Sequence, residues 1–187
     1  MNRIVHRERK FGVITPEGQE LLPFIYDMIY ADDVCKFFEV HKGGKIGIYA
    51  YDGTELLPVS FKEEDFSTNW EAKMFEVKRG AKVAFYNFNG KLILDAKYSS
   101  DVITAYCDGF VIKSGNNCRF MNLKGDIVLS GYDEIKEVPD YNQNVLKVKK
   151  DDKYGVFDLV GNEIMPVRYS YVVIKHGICK GIDTLSL

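Results

Sequence analysis

Hydrophobic residues return along this chain in short paired runs with a fixed spacing. The first run of each pair is a β-type triplet: Arg3-Ile4-Val5, Phe38-Glu39-Val40, Phe75-Glu76-Val77, Phe110-Val111-Ile112 and Leu146-Lys147-Val148. Five residues after each triplet a second run opens, at Lys10-Phe11-Gly12, Lys45-Ile46-Gly47, Lys82-Val83-Ala84, Asn117-Cys118-Arg119 and Lys153-Tyr154-Gly155. A glycine follows eight residues later in all five copies, at Gly18, Gly53, Gly90, Gly125 and Gly161. The copies stand 35 to 37 residues apart, and a period of that size is the signature of one supersecondary unit copied and stacked.

Within a copy, the turn-like residues between the runs (Lys42-Gly43-Gly44, Arg79-Gly80-Ala81, Ser114-Gly115-Asn116) predict a hairpin. The second run is apolar on both faces, as in Phe11/Val13 with Ile14 and Ile46/Ile48 with Tyr49, so sheets are expected to cover it from both sides. The small residue there (Gly12, Gly47, Ala84, Gly155) predicts a close approach by a neighbouring side chain or backbone. A third strand follows the period glycine, and Pro23, Pro58 and Pro166 mark it as a strand end or edge. An aromatic then recurs at Tyr26, Phe61, Tyr98, Tyr132 and Tyr169, one residue early in the fourth copy. The expected fold is all-β: five tandem three-stranded antiparallel meanders of about 36 residues, stacked as an open twisted array or a small propeller-like ring. The units span approximately 1–36, 37–73, 74–108, 109–144 and 145–187 of a single repeat domain, and Gly177-Ile178-Cys179-Lys180 looks like the start of an unfinished sixth. The connections 62–73 and 99–109 are the expected places for irregular or short helical structure.

The pattern Lys-aromatic-Gly-Val-Ile/Phe-Asp, then Gly, then Ile/Leu-Pro-x-x-Tyr-Asp resembles the bacterial WG (KWG) repeat family. Lys153 to Asp158 with Gly161, Ile164, Pro166 and Tyr169 is the clearest copy, and Lys10 to Asp27 is nearly as good. No copy has Trp at the Trp-Gly position, and the lone Trp70 lies in a connection. Copies three and four lose both the glycine (Ala84, Arg119) and the proline (Asp95, Ser130). The resemblance implies a non-enzymatic binding or scaffolding repeat and brings no catalytic residues with it.

Composition agrees with a globular chain: 187 residues, 46% hydrophobic, 28% charged, net charge −2. No apolar run approaches 18 residues, and the polar, basic N-terminus has no secretory signal pattern. Four cysteines without CxxC spacing read as free thiols, and the cytoplasm is the expected compartment. Nucleophile, zinc-protease, P-loop and EF-hand motifs are absent from the sequence, so no cofactor, metal or catalytic residue is assigned. Acidic pairs such as Asp32-Asp33 and Asp133-Glu134 read as solvated loops, and the recurrent aromatics as core rather than a glycan platform.

Charge follows the period. The five positions after each triplet hold twelve basic residues against three acidic ones, while the other 162 positions hold 13 basic and 24 acidic. A meander places this turn at one end of its strands, so stacking is expected to build a basic rim. Its candidate residues are His6, Arg7, His41, Lys42, Lys78, Arg79, Lys113, Lys149 and Lys150. The bland reading is an edge protected by lysine; the functional one is a surface that steers an acidic protein, including neutralisation of a toxin-like partner. Polyanion or glycan binding is a second possibility, and an enzyme site built from inter-repeat loops a third. Aromatics are not interleaved with the basic turns, which disfavours nucleic acid.

Overall fold

The computed structural model describes residues 2–139, 144–175 and 177–183. Its contacts divide into two compact bodies, Met1–Lys97 and Tyr98–Leu187. In the first, β1 (Arg3–Arg7), β2 (Lys10–Ile14) and β3 (Glu20–Tyr26) form a three-stranded sheet in that order. Next come β4 (Met28–Asp32), β5 (Phe37–Lys42), β6 (Lys45–Ala50) and β7 (Glu55–Lys62), a four-stranded sheet in sequence order. A 3-10 turn at Glu63–Asp65 leads to a like sheet of β8 (Phe66–Asn69), β9 (Met74–Arg79), β10 (Lys82–Asn87) and β11 (Leu92–Ser99), the last strand running across the division.

The second body repeats the plan. It holds β12 (Ile103–Tyr106), β13 (Gly109–Ser114), β14 (Asn117–Asn122) and β15 (Ile127–Tyr132) in one sheet. A second sheet contains β16 (Glu134–Val138), β17 (Val145–Lys150), β18 (Lys153–Phe157) and β19 (Glu163–Tyr169). The hairpin of β20 (Tyr171–Lys175) and β21 (Ile178–Ile182) follows, and it forms the first two strands of a further repeat.

The all-β meander is as expected, with one addition: the connection supplies a fourth strand. Segments 28–32, 66–69, 103–106, 134–138 and 171–175 pair antiparallel ahead of the first triplet of their copy. Each full sheet therefore begins about nine residues before the repeat boundary read from the sequence. The short helical turn at 63–65 does fall inside the irregular connection expected at 62–73.

The cores lie between facing sheets. In the first body, Val13, Leu22 and Tyr26 meet Ile29, Phe38 and Val40; then Phe37, Ile46, Ile48 and Leu57 meet Phe75, with Phe66 and Phe88 around them. In the second, Cys118, Phe120 and Leu129 meet Ile135, Leu146, Val148 and Phe157, and Val145 and Val156 meet Val172. One column of the central strand is enclosed in every full sheet: Val13, Ile48, Phe85, Phe120 and Val156 are at most 2% exposed. A strand sealed on both sides contributes through area removed from water, and truncating such a residue to alanine costs about 2–5 kcal/mol.

The small residue of the motif has a packing cause. Phe11 pairs with Tyr26 and Val13 with Leu22, so three residues of β3 bulge opposite Gly12. The bulged strand folds its middle side chain over the glycine. A Cβ on Gly47 would stand 2.7 Å from Val59 Cγ2, and one on Gly155 would stand 2.7 Å from Val167 Cγ2. Prolines 23, 58 and 166 sit in these bulged strands, which are sheet edges and tolerate a missing donor. Copies three and four show the same coupling from the other side. Copy three places Ala84 twelve residues before Ala96, the spacing that separates Gly47 from Val59. Copy four has Arg119 in place of glycine and a bulge one residue shorter, with Arg119 paired to Ser130 and Gly131 bulged at φ 89°. Losing the glycine coincides with losing the residue that would have covered it.

The period glycine has two causes. All five adopt positive φ, between 76° and 94°. Three also touch the preceding repeat: a Cβ on Gly53 would approach Leu21 Cδ1 to 3.0 Å, one on Gly161 would approach Val128 Cγ1 to 3.1 Å, and one on Gly90 would strike the Leu56 carbonyl.

One acid between two sheets is held in an unfavourable place. Asn144 Nδ2 donates to Asp108 Oδ2 at 2.8 Å and to Glu137 Oε1 at 3.1 Å, tying the two carboxylates together. Burial, and then the neighbouring Asp108 charge, push the Glu137 carboxyl up to about 7.

Two outcomes follow from this packing. Gly47→Ala should destabilise the protein by about 1–3 kcal/mol. Combined with Val59→Ala, which recreates the pairing of copy three, it should cost less than the sum of the single changes by about 1 kcal/mol; urea unfolding of the four proteins measures the coupling, and strict additivity would contradict it. For Glu137, the folded state favours the protonated form. Its contribution is complete below the ordinary carboxylate range and lost as pH rises through about 7. Glu137→Gln should therefore flatten the fall in melting temperature between pH 5 and 8 and raise stability at pH 8; melting profiles that superimpose would contradict the assignment.

Candidate functional site

Each basic segment forms a tight hairpin turn. Glu8 and Arg9 (φ 48° and 66°), Gly43 and Gly44 (58° and 70°), and Asp151 and Asp152 (47° and 59°) are two-residue turns with both central residues left-handed. Such turns place their flanking residues directly opposite one another. The opposed pairs are Arg7/Lys10, Lys42/Lys45, Arg79/Lys82 and Lys150/Lys153, with Ser114/Asn117 the neutral exception. Like charges facing each other across a hairpin destabilise it. The central residues Glu8, Arg9, Asp151 and Asp152 add the cost of left-handed backbone in non-glycine residues. These ends are built against local stability four times over.

Acids within or just after the last strand of a sheet partly balance them. Lys10 pairs with Asp27, Arg79 with Asp95 at 3.0 Å, and Lys150 with Asp133 at 3.6 Å. Asp27 and Asp133 also reach the next repeat: Gly43 N–H donates to Asp27 Oδ2 at 2.7 Å and Asp151 N–H donates to Asp133 Oδ2 at 2.8 Å. The Lys10 ammonium, with the Gly43 amide, holds the Asp27 carboxyl below its usual range. This explains the Tyr-Asp end of the motif, since its aspartate caps the following turn while its tyrosine is core.

The candidate rim residues fall into two groups. Lys42, Lys78 and Lys113 are exposed and carry no salt bridge among the described residues. The others are engaged. His41 lies between Glu39 Oε1 at 2.8 Å and Glu63 Oε1 at 2.9 Å. His6 packs on Phe11, and the Arg7 guanidinium lies 4.4 Å from the Phe24 ring centre. Arg79 also donates to Tyr86 Oη at 2.8 Å, and Lys149 pairs with Asp152 at 2.7 Å.

Clefts open beside these turns. In the first body one of about 560 Å³ is lined by Lys42, Lys45, Tyr26 and Tyr49, with Tyr49 donating to Glu55 at 2.8 Å. In the second, one of about 330 Å³ includes Lys113, Asp133, Glu134 and Lys136. A smaller one of about 130 Å³ is lined by Glu134, Lys136, Lys147, Val148, Lys149 and Tyr154. Lys136 and Lys147 were not singled out from the sequence, because neither lies in the repeated turn. Their signal was alternation along β16 and β17, which puts Glu134, Lys136, Lys147 and Lys149 on one face.

At the opposite end of its sheet, Trp70 is 54% exposed, its indole parallel to Phe37 at 6.1 Å and edge-on to Phe88 at 5.7 Å. Cys35 and Cys107 occupy equivalent turns, while Cys118 is buried and donates to the Asp133 carbonyl at 3.4 Å. Among the described residues no three His, Cys, Asp or Glu side chains are grouped to hold a metal ion. No described helix is long and apolar enough to cross a membrane.

Comparison with curated proteins finds no match. Among solved structures, similarity extends to a eukaryotic initiation factor (10% identity, 92% of this chain and 54% of that one, TM-score 0.44). It extends also to KlHsv2 with loop 6CD replaced by a Gly-Ser linker (11%, 88% and 60%, TM-score 0.43), and to Kluyveromyces lactis Hsv2 (14%, 85% and 61%, TM-score 0.35). The chain thus spans 54 to 61% of the length of these relatives, and with every score below 0.5 no function is taken from them. A family match is more direct. Residues 11–45 and 119–154 each match the WG containing repeat, and their starting points lie three 36-residue periods apart. Both segments run from the central strand of one sheet to the turn or central strand of the next, so each match includes a capping aspartate, Asp27 or Asp133, and the first also includes the motif glycine Gly12. At these two segments the chain is similar to the WG containing repeat.

Proposed function

We propose that this protein is a non-catalytic interaction module that docks an acidic protein partner through the basic turn ends of its sheets. One observation carries the reading: four hairpins each face two like-charged basic residues across a tight turn. A sheet gains nothing internally from that arrangement, and edge protection alone is served by single lysines. An acidic partner relieves the repulsion on binding and is steered to the surface by it beforehand. The ion pairs to Asp27, Asp95 and Asp133 are largely solvent-exposed, so exchange of those acids for carboxylates of a partner costs little. Lys42, Lys78 and Lys113 are the free members of the set and the first points of contact.

The triple substitution Lys42→Glu, Lys78→Glu, Lys113→Glu alters only exposed residues without salt bridges and should leave the melting temperature within a few degrees of the parent. Capture of a partner from the source organism, followed by binding kinetics, should show association slowed at least about tenfold, with the parent's rate falling steeply as salt is added. A triple variant that binds its partner as fast as the parent would refute the docking surface.

A further inference from the structure

The small cleft of the second body has features that partner docking does not explain. Lys136 and Lys147 are cross-strand partners, two like charges placed directly opposite on adjacent strands. Unlike the turn pairs, they lie within the sheet, on the face that lines a cavity of about 130 Å³. Lys147 is fixed rather than splayed. Its ammonium sits 4.8 Å from the ring centres of both Tyr154 and Tyr171 and donates to the Val172 carbonyl at 3.2 Å. Lys149 enters the same space, 5.8 Å from the Tyr154 ring, and its side chain is 29% exposed. Two tyrosine faces and one carbonyl therefore fix this ammonium beside the cleft.

Among the described residues the lining carries three lysines and Glu134, and Asp152 pairs with Lys149 at 2.7 Å, so three ammoniums meet two carboxylates. We propose that this cleft is a binding site for a phosphomonoester, with Lys136, Lys147 and Lys149 as its ligands. Lysine ammoniums act as point charges and suit phosphate oxygens, whereas bidentate recognition of a carboxylate is the role of arginine, which this cleft lacks. With both carboxylates displaced the three ammoniums present three positive charges, of which a dianion neutralises two and a carboxylate one. The partners that an incoming phosphate displaces are accessible: Glu134 on Lys136 has a 42% exposed side chain, and Asp152 on Lys149 a 92% exposed one. The site depends on the docking reading only for where the phosphate comes from, a phosphorylated side chain of the partner or a free phosphate compound, and not for the binding itself.

The full chain with lysines labelled at the ε-carbon can be titrated with inorganic phosphate, and with acetate at matched ionic strength. Phosphate should move the Lys136, Lys147 and Lys149 signals along one saturable curve, with acetate at least about tenfold weaker. Lys136→Met, at a side chain 64% exposed, should fold normally and weaken phosphate binding about fivefold or more. Lys124→Met, in an exposed turn outside the cleft, should not weaken it. A phosphoserine peptide that binds more tightly than inorganic phosphate identifies a modified side chain as the source; equal affinity identifies a free compound. Equal responses to acetate and phosphate, a shift shared by Lys124, or unchanged affinity in Lys136→Met would each overturn the site. None of these substitutions touches Lys42, Lys78 or Lys113, so the phosphate site and the docking surface fail separately.

Discussion

The central strand of every sheet carries apolar side chains on both faces, and a sheet of three or four short strands has no means of covering both by itself. Val13, Ile48, Phe120 and Val156 are almost completely enclosed because another sheet lies against them. That requirement sets the repeat length, since a unit must supply a covered face and a covering one. It also fixes where small residues stand. The motif glycine lets the edge strand bulge and lay Val59 or Val167 over the pleat, and the period glycine lets the turn approach the preceding repeat. Backbone geometry and packing ask for the same residue, which is why the period survives in a chain whose other positions drift.

Much of this was legible in sequence. The five glycines, the doubly apolar run and the edge prolines each pointed to a physical role, and the structure assigns them those roles. The fourth strand was not legible because it is short and half exposed. Phe66-Ser67-Thr68-Asn69 shows no two-residue alternation, and the alternation of β12 and β16 runs for only four or five residues. A trace was present: Ile29, Ile135 and Val172 each stand three residues after the recurrent tyrosine, and all three are buried. The one-residue deletion in copy four was visible from Tyr132, but its meaning required the bulge register that pairs Arg119 with Ser130.

The basic turns were legible as composition, and their cost was not. Counting lysines gives a charged edge; only the hairpin register shows that the lysines and arginines oppose one another in pairs. Likewise, the sequence marks Asp27 as the end of the repeat motif and reads Asp133 as a loop acid, without saying what either does. Their amide contacts to Gly43 and Asp151 show that they tie one repeat's end to the next repeat's turn. Charge and packing thus meet at the same turn, where Asp27 and Asp133 join one repeat to the next.

Native-state hydrogen exchange tests the central claim, that sheets within a body are stable only against one another. In the first body, the amides of β5, β6, β9 and β10 should open together, with one free energy and one denaturant dependence. Sheets that exchange one at a time, each with its own small dependence on denaturant, would show that a single meander holds its own core and would contradict the account.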